Sequence, residues 1–384
     1  MKFFTDCKEW VGYKPCREQL VSSTDACYKC KHYQPVKKNI LIIEAGGLGS
    51  VLRTTVLLRE IKGADKSTKV QWLTNKKGME LLRNIPYVSA IYDIEDWRSQ
   101  TMLQGQYFDL IFNFESSPLA LATAGILKAG SRRGFILDKT GNLTLASKHT
   151  EKLLQLQTND RFRKRLNKKS MQQLLLESVG FEWKKQTYCI LPDQKDDEWA
   201  EHFLSSLGKQ FPESNPKFVG LNIGSSLKQR AKRWPVENFY QLAHSFQKEY
   251  PEWQFIVLAG PEDRDVYSVI RERRTIQNLH FLGWNNPMSK FISLVNKISI
   301  VVSADTFGMH LAIGLGKRVI SLHGPQPDRE IFLYGRGKKI KISLECSPCF
   351  NYRNPLCSLE CMSGITVQTV KKVLEKEVSA FSKE

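Results

Sequence analysis

Residues 298–325 constrain this chain most. An apolar run, Ile298-Ser-Ile-Val-Val-Ser303, breaks abruptly into Ala304-Asp305-Thr306-Phe-Gly308-Met309-His310. It resumes as a helix-like stretch, Leu311-Ala-Ile-Gly-Leu-Gly316, and a second strand-like run, Arg318-Val-Ile-Ser-Leu322. Strand, polar turn, helix and strand in that order predict a βαβ unit. The polar residues fall where a strand's carboxyl end meets a helix amino terminus. Unpaired N–H groups and the helix dipole attract phosphate there, so the turn suggests a nucleotide site. Taken alone, an Asp or Thr helix cap beside a chance histidine accounts for it equally well.

The same pattern recurs along the 384 residues, a length that predicts two domains. Asn39-Ile-Leu-Ile-Ile43 reads as a buried parallel strand running into the glycine-rich turn Gly46-Gly47-Leu-Gly49-Ser50 and a helix over 51–61. Strands at 69–73, 90–93 and 109–113 and helices near 77–84 and 118–129 complete one doubly wound half. Residues 150–180 are basic and helix-prone. After a linker at 192–197 the pattern restarts with a strand at 218–222 and the turn Ile223-Gly-Ser225-Ser226. Ala231-Lys232-Arg-Trp-Pro235 precedes a helix at 236–247. A strand at 254–258 then leads into Gly260-Pro-Glu262-Asp263. A final helix spans about 365–381 and folds back to brace the halves.

The expected division is therefore a cysteine-rich arm (1–36), an N-terminal Rossmann-like domain (37–192), a C-terminal Rossmann-like domain (193–345) and a cysteine cluster with the last helix (346–384). Eight of the nine cysteines form two groups: Cys7, Cys16, Cys27 and Cys30; and Cys346, Cys349, Cys357 and Cys361. Each group contains a CxxC pair, whose tight turn lets two thiolates chelate one ion while a second pair completes a tetrahedron. Structural zinc is the favoured ion and four-thiolate iron the alternative. Disulfides fit a reducing compartment less well. Cys189, in an apolar run, reads as core.

The formal net charge is +18, spread over Arg161-Phe-Arg-Lys-Arg165, Lys228–Arg233 and Lys338-Lys-Ile-Lys341. Such a field favours anionic partners: nucleotide diphosphates, phosphorylated glycolipids or an acidic inner membrane leaflet. Nucleic acid is the competitor, but no RNP, zinc-finger or helix-turn-helix signature is present. No run approaches the ~20 apolar residues of a membrane span, and no signal peptide opens the chain, so the cytoplasm is the expected compartment, with peripheral contact at the inner membrane.

Together these segments resemble glycosyltransferase family 9, the heptosyltransferase family, over roughly residues 38–375. Leu41–Thr55 looks like its first motif, Lys232-Arg-Trp-Pro235 its lysine-x-Trp-Pro segment and Gly260-Pro-Glu262 its donor-contacting turn. Asp305–His310 looks like its nucleotide-sugar signature. A subgroup also carries the terminal cysteines. The resemblance implies an α/β GT-B fold, two Rossmann-like domains facing a cleft, with small metal-binding elements near both termini. It implies an inverting, metal-independent transfer of a heptose-like sugar from an ADP-heptose-like donor to an anionic glycan or glycolipid such as lipopolysaccharide core. Donor contacts would fall on Gly47, Gly49, Ser225, Lys232, Glu262, Asp305, Thr306, Gly308, Met309 and His310. Lys232 would neutralise the diphosphate, Glu262 would hold the ribose or adenosine end, and Asp305–His310 would organise the sugar-phosphate side.

One position departs from that family. The aspartate expected after the last glycine of the first motif, the general base, is here Ser50, and a serine cannot take the acceptor's proton without a base of its own. Two carboxylates stand at the same strand ends: Glu44, where the family carries a basic or neutral side chain, and Glu115 in Asn113-Phe-Glu115-Ser-Ser. Either could act as a relocated base; otherwise both are solvated rim residues and catalysis is weak or absent. The alternatives are a sugar-nucleotide-binding scaffold without catalysis, and a nucleic-acid-binding protein using the basic surface and cysteine knuckles. The sequence leaves the oligomeric state open.

Overall fold

The computed structural model describes residues 3–10, 12, 14–22, 27–208, 217–273, 276–350 and 357–381. The chain divides into two units. The first comprises residues 1–46, 54–155 and 174–186; the second comprises 47–53, 156–173 and 187–384.

The first unit is built on six strands: β1 (Lys38–Ile43), β2 (Thr68–Thr74), β3 (Ala90–Asp93), β4 (Tyr107–Asn113), β5 (Lys128–Leu137) and β6 (Leu143–Leu145). Their order is β3-β2-β1-β4-β5-β6, all parallel except the antiparallel β5–β6 pair. The interior strands are apolar because a parallel sheet is covered on both faces. Leu41, Ile43, Leu73, Phe108 and Ile111 pack with Leu103, Ala120 and Ala124 into one core. The helix expected over 51–61 is two, Leu48–Thr54 and Leu57–Ala64. The helix expected to run to 129 ends at Ile126, because Lys128 already opens β5.

The second unit repeats the plan with β7 (Lys217–Asn222), β8 (Trp253–Leu258), β9 (Leu279–Phe281), β10 (Ile300–Ala304), β11 (Arg318–His323) and β12 (Gly337–Lys341), ordered β12-β11-β10-β7-β8-β9 and wholly parallel. Both sheets thus reverse direction between their first and fourth strands, the point where doubly wound folds place ligands. The segment 192–197 is no linker: the helix Gln194–Gly208 starts there, opened by the Asp193 carboxylate accepting from the Lys195 N–H (3.0 Å).

The last helix, Val367–Phe381, lays Val370, Leu374 and Val378 into the second core beside Phe246, Trp253 and Phe255. Arg318 pairs with Glu377 on it at 2.8 Å. Trp234 is buried, meets Phe239 edge-on and donates its Nε1–H to the Ile365 carbonyl at 2.8 Å. Replacing Trp234 by Phe keeps much of the bulk but strands that carbonyl, which costs about 1–3 kcal/mol. Chemical denaturation of the W234F variant is expected to show a loss in that range.

Candidate functional site

Three strand ends of the second sheet, those of β7, β8 and β10, carry most of the predicted donor residues. β10 stops at Ala304, Asp305 follows, and Thr306 opens the helix Phe307–Gly314. Asn222, at the end of β7, donates through Nδ2 to Ser303 Oγ (2.9 Å) and Thr306 Oγ1 (2.8 Å). That contact needs Gly308, since a Cβ there would lie 2.5 Å from Asn222 Oδ1. The turn is therefore bolted across the switch point between β7 and β10.

Lys232 ends the short helical segment Leu227–Lys232, and the buried Trp234 two residues on fixes where it points. Its Nζ donates to the Asp305 carbonyl at 3.1 Å and stands 3.5 Å from Oδ2. His310 Nε2 lies 3.4 Å from Asp305 Oδ1, and its Nδ1 lies 3.1 Å from the Tyr188 hydroxyl. Lys232 and His310 are almost wholly buried and Asp305 nearly so. Burial by itself raises the Asp305 carboxyl, but Lys232, with the bond from His310, overrides it and holds the group well below the usual range. Burial lowers His310, against the opposing pull of Asp305, so the ring is neutral near pH 7. A neutral ring facing a carboxylate must carry its proton on Nε2. Nδ1 then accepts from the Tyr188 O–H, a phenol that burial keeps protonated.

Neighbouring turns are braced in the same way. The Asp263 carboxylate accepts from the N–H groups of Gly260 (2.9 Å) and Ser225 (3.0 Å) and pairs with Arg233 at 3.0 Å. Burial nevertheless raises its carboxyl above the usual value. Arg233 also donates to the carbonyls of Ser225 and Glu262, and Glu262 Oε2 accepts from the Leu227 N–H at 2.9 Å. Ser225 Oγ donates to the Gln229 carbonyl. Gly49 lies against the His310 ring, where a Cβ would stand 2.8 Å from Cδ2, and Gly47 accepts from the Ser50 N–H. Ser50 Oγ accepts from Arg53 Nη2 at 3.2 Å. Met309 is buried in the helix.

The two carboxylates sit in the first unit, at its own switch point. β1 and β4 are neighbours in register Ile43–Asn113, and the Phe114 N–H donates to the Ile43 carbonyl. Glu44 and Glu115 therefore leave the same sheet rim. Glu44 is buried and accepts from the Gly46 N–H at 2.9 Å. Glu115 is half-buried and accepts from the N–H groups of Ser116 and Ser117 (3.0 and 3.1 Å).

The cysteines depart from the expected metal sites. No described cysteine is in a disulfide, and Cys189 is buried core. Among the described residues, no group of three or more His, Cys, Asp or Glu stands at coordinating distance, so the zinc expected at either cluster is not displayed. The clusters still gather. Burial raises the buried Cys361 thiol to about 11, aided by Cys349, Cys357 and Cys346 nearby. Cys7, Cys16, Cys27 and Cys30 line one cavity.

Sequence reasoning passed over Tyr188, Asn222, Arg233, Asp263 and His323. Asn222 and His323 carried a visible signal, a polar residue closing an apolar strand; Tyr188 carried none. His323 is buried at the end of β11 with Nε2 2.6 Å from Ser321 Oγ, and Nδ1 has no partner among the described residues.

Each of the two sheets carries polar residues at its own switch point, and two such units make up a GT-B-like α/β fold. The sequence profile of glycosyltransferase family 9 (heptosyltransferase) matches residues 101–359, and the chain belongs to that family. It is 20% identical over 294 residues to the lipopolysaccharide core heptosyltransferase OpsX of Haemophilus influenzae, covering 74% of this chain and 79% of OpsX. Its fold is similar to that of the E. coli ADP-heptose lps heptosyltransferase II, with TM-score 0.64 at 16% identity over 89% of this chain and 99% of that one. It is also similar to the iron-containing dodecameric glycosyltransferase TibC of enterotoxigenic E. coli, with TM-score 0.52 at 11% identity over 89% and 76% of the two chains. The protein is thus a glycosyltransferase, heptosyltransferase-like in sequence. Among the described residues no helix is long and apolar enough to cross a membrane.

The histidines set an acid limit. Burial drives both His323 and His280 down to about 4 and lowers His310. Their unfolded counterparts take up a proton near pH 6.5 that the folded rings refuse, so stability is full above that pH and is lost as pH falls toward 4. Denaturation at pH 7 and pH 4.5 is expected to show the fall. His323→Asn is expected to reduce it by up to about 3 kcal/mol.

Proposed function

We propose that the protein transfers a heptose-like sugar, with inversion, from an ADP-heptose-like donor to an anionic glycan or glycolipid such as lipopolysaccharide core. No catalytic metal takes part in this scheme. The observation that carries the reading is the buried Lys232–Asp305–His310–Tyr188 chain at the start of the helix Phe307–Gly314. A lysine beside helix-start N–H groups is the combination that stabilises charge building on a departing diphosphate. The likeness to OpsX and to the E. coli enzyme supports heptose as the sugar.

In this scheme the acceptor hydroxyl attacks the anomeric carbon, its proton passes to a carboxylate, and the sugar–phosphate bond breaks. The nucleotide diphosphate leaves toward Lys232, with the N–H groups of Gly308 and Met309 aimed at its oxygens. Asp305 orients Lys232 through its carbonyl, and His310 orients Asp305. Glu262 and Ser225 serve the nucleoside end, and Gly47 and Gly49 leave room for the sugar phosphate. Ser50 is tied to Arg53 and does not replace the family's base. Glu44 or Glu115 takes that role from the first sheet, and Glu44 is favoured by its burial.

The 37–192 domain would receive the acceptor and the 193–345 domain the donor. Exposed Trp97, Met102, Tyr107, Leu119 and Ile126 in the first unit, with the net charge of +18, support peripheral contact with the anionic cytoplasmic face of the inner membrane. The C-terminal quartet, Cys346, Cys349, Cys357 and Cys361, has the donor chemistry for iron or zinc, and TibC supports iron. It is built onto the donor side: Cys361 Sγ would lie 2.8 Å from a Cβ on Gly324, and the Ser347 hydroxyl donates to the Gly324 carbonyl. An ion there would act by holding the turn after β11.

Thermal stabilisation against a panel of nucleotide sugars tests the donor. ADP-heptose at about a hundred times its Kd is expected to add roughly 2.7 kcal/mol, and an inert panel would sink the reading. Cys361→Ser is expected to weaken that stabilisation. For the base, Glu44→Ala is expected to cut turnover by about 10²–10⁴-fold while donor stabilisation persists. Under this scheme Ser50→Asp adds little; turnover untouched in both Glu44→Ala and Glu115→Ala would remove the relocated base.

A further inference from the structure

Arg53 enters the transfer scheme only as the partner of Ser50, yet its position gives it more to do. It lies on the helix Leu48–Thr54, one turn beyond Ser50, so the two side chains share a face. Residues 47–53 group with the second unit, and Gly49 seats them there, bare where a Cβ would stand 2.8 Å from His310 Cδ2. Packing therefore carries the guanidinium to the Asp305–His310–Tyr188 chain. Burial sets the proton affinity of both neighbours, lowering His310 and raising the Tyr188 phenol; the Arg53 charge adds to the first effect and opposes the second.

The side chain is half-buried and, being arginine, always charged. Its Nη2 donates to the neutral Ser50 hydroxyl at 3.2 Å. Its Nε is shielded from water and has no hydrogen-bond partner among the described residues. Among those residues no carboxylate pairs with it either. The acid of the adjoining chain, Asp305, is already engaged by Lys232 at 3.5 Å and His310 at 3.4 Å. A charge taken partly out of water without a counter-charge is costly. An aspartate at 50 would stand three residues from Arg53 on the same face and neutralise it; serine does not. What does match the side chain is a group with two anionic oxygens, because the planar fork of N–H donors meets carboxylate or phosphate bidentately.

We propose that Arg53 is a binding residue for a substrate oxyanion, a phosphate or carboxylate gripped by its guanidinium fork, and that Ser50 keeps the fork available by withholding a carboxylate from it. On the transferase reading above, on which this rests, Lys232 is already paired to Asp305, whereas Arg53 brings charge that no described side chain has neutralised. Two sources offer the oxyanion: the donor's diphosphate and an anionic group of the acceptor. No bond forms or breaks at Arg53 in either case; it holds an anion beside His310 and Tyr188. The serine is then a change of use, in which a position lost to proton transfer releases its neighbour for recognition.

The test is calorimetric titration of the full-length protein and its Arg53→Gln, Arg53→Lys and Ser50→Asp variants. The probes are pyrophosphate, ADP, adenosine and heptose-free lipopolysaccharide core, the core both native and after dephosphorylation and carboxyl reduction. Arg53→Gln is expected to lose at least about tenfold in affinity for ADP or for native core, and Arg53→Lys less. Loss for ADP with adenosine unchanged assigns the oxyanion to the donor; loss confined to native core assigns it to the acceptor. Ser50→Asp is expected to share the loss while melting no lower than the parent, since its new carboxylate occupies the fork. A loss in Arg53→Gln that Ser50→Asp does not share overturns the proposal in favour of a structural arginine. So does equal affinity of parent and variants for pyrophosphate, ADP and native core. Where Arg53→Gln does not fold, Arg53→Lys and Ser50→Asp decide by the same comparison. Pyrophosphate binding that depends on Arg53 in a protein that takes no nucleotide sugar keeps the oxyanion site and removes the transferase reading, so the two fail separately.

Discussion

Asp305 is an ionised carboxylate taken out of water, and everything around it answers that fact. A buried charge is tolerable only when paired and hydrogen-bonded, and Lys232 supplies the pairing. To hold the lysine, the chain sinks Trp234 into the core two residues later and ties its indole N–H to the Ile365 carbonyl, just ahead of the last helix. To hold the carboxylate, it sets His310 against it and Tyr188 against His310. To hold the turn itself, it uses Asn222 and leaves Gly308 without a side chain. A packing core, a charge pair and a helix start are one construction here.

Much of that construction was legible because parallel strands are buried on both faces and write themselves as unbroken apolar runs. β1, β7, β8, β10 and β11 all stand out on that ground. β12 did not: Gly337-Lys-Lys-Ile-Lys341 is an edge strand whose lysines read as surface charge. β5 hides its pairing behind Gly130, Arg132, Arg133 and Gly134. The helix at Gln194 was taken for a linker because its first turn, Gln-Lys-Asp-Asp, is wholly polar, and only the Asp193 cap reveals it. Among the candidate site residues, Lys232, Glu262, Asp305 and His310 lie on motifs legible in the sequence. Tyr188 and Asn222 act across 122 and 84 residues of chain, and no local pattern encodes a partner that far away.

The two sheets share one strand order, and each offers polar residues at its reversal. In the second sheet these are Asn222 and Asp305; in the first, Glu44 and the residues leading to Glu115. Such points attract function because two adjacent strands lead to helices on opposite faces and leave a notch between them. Ser50, by contrast, lies on the glycine turn that groups with the second unit, tied there to Arg53.

The assignment of residues 47–53 and 156–173 to the second unit, with their flanking segments in the first, has a further consequence. The chain passes from one unit to the other five times. No single cut yields two complete halves, so the units are not modules that recombination could shuffle or that expression could deliver separately. Nor can the first half finish folding on the ribosome and wait, because the glycine turn after β1 belongs with sequence made more than a hundred residues later. Assembly of this protein therefore includes long-range contacts whose closure adds to the folding time.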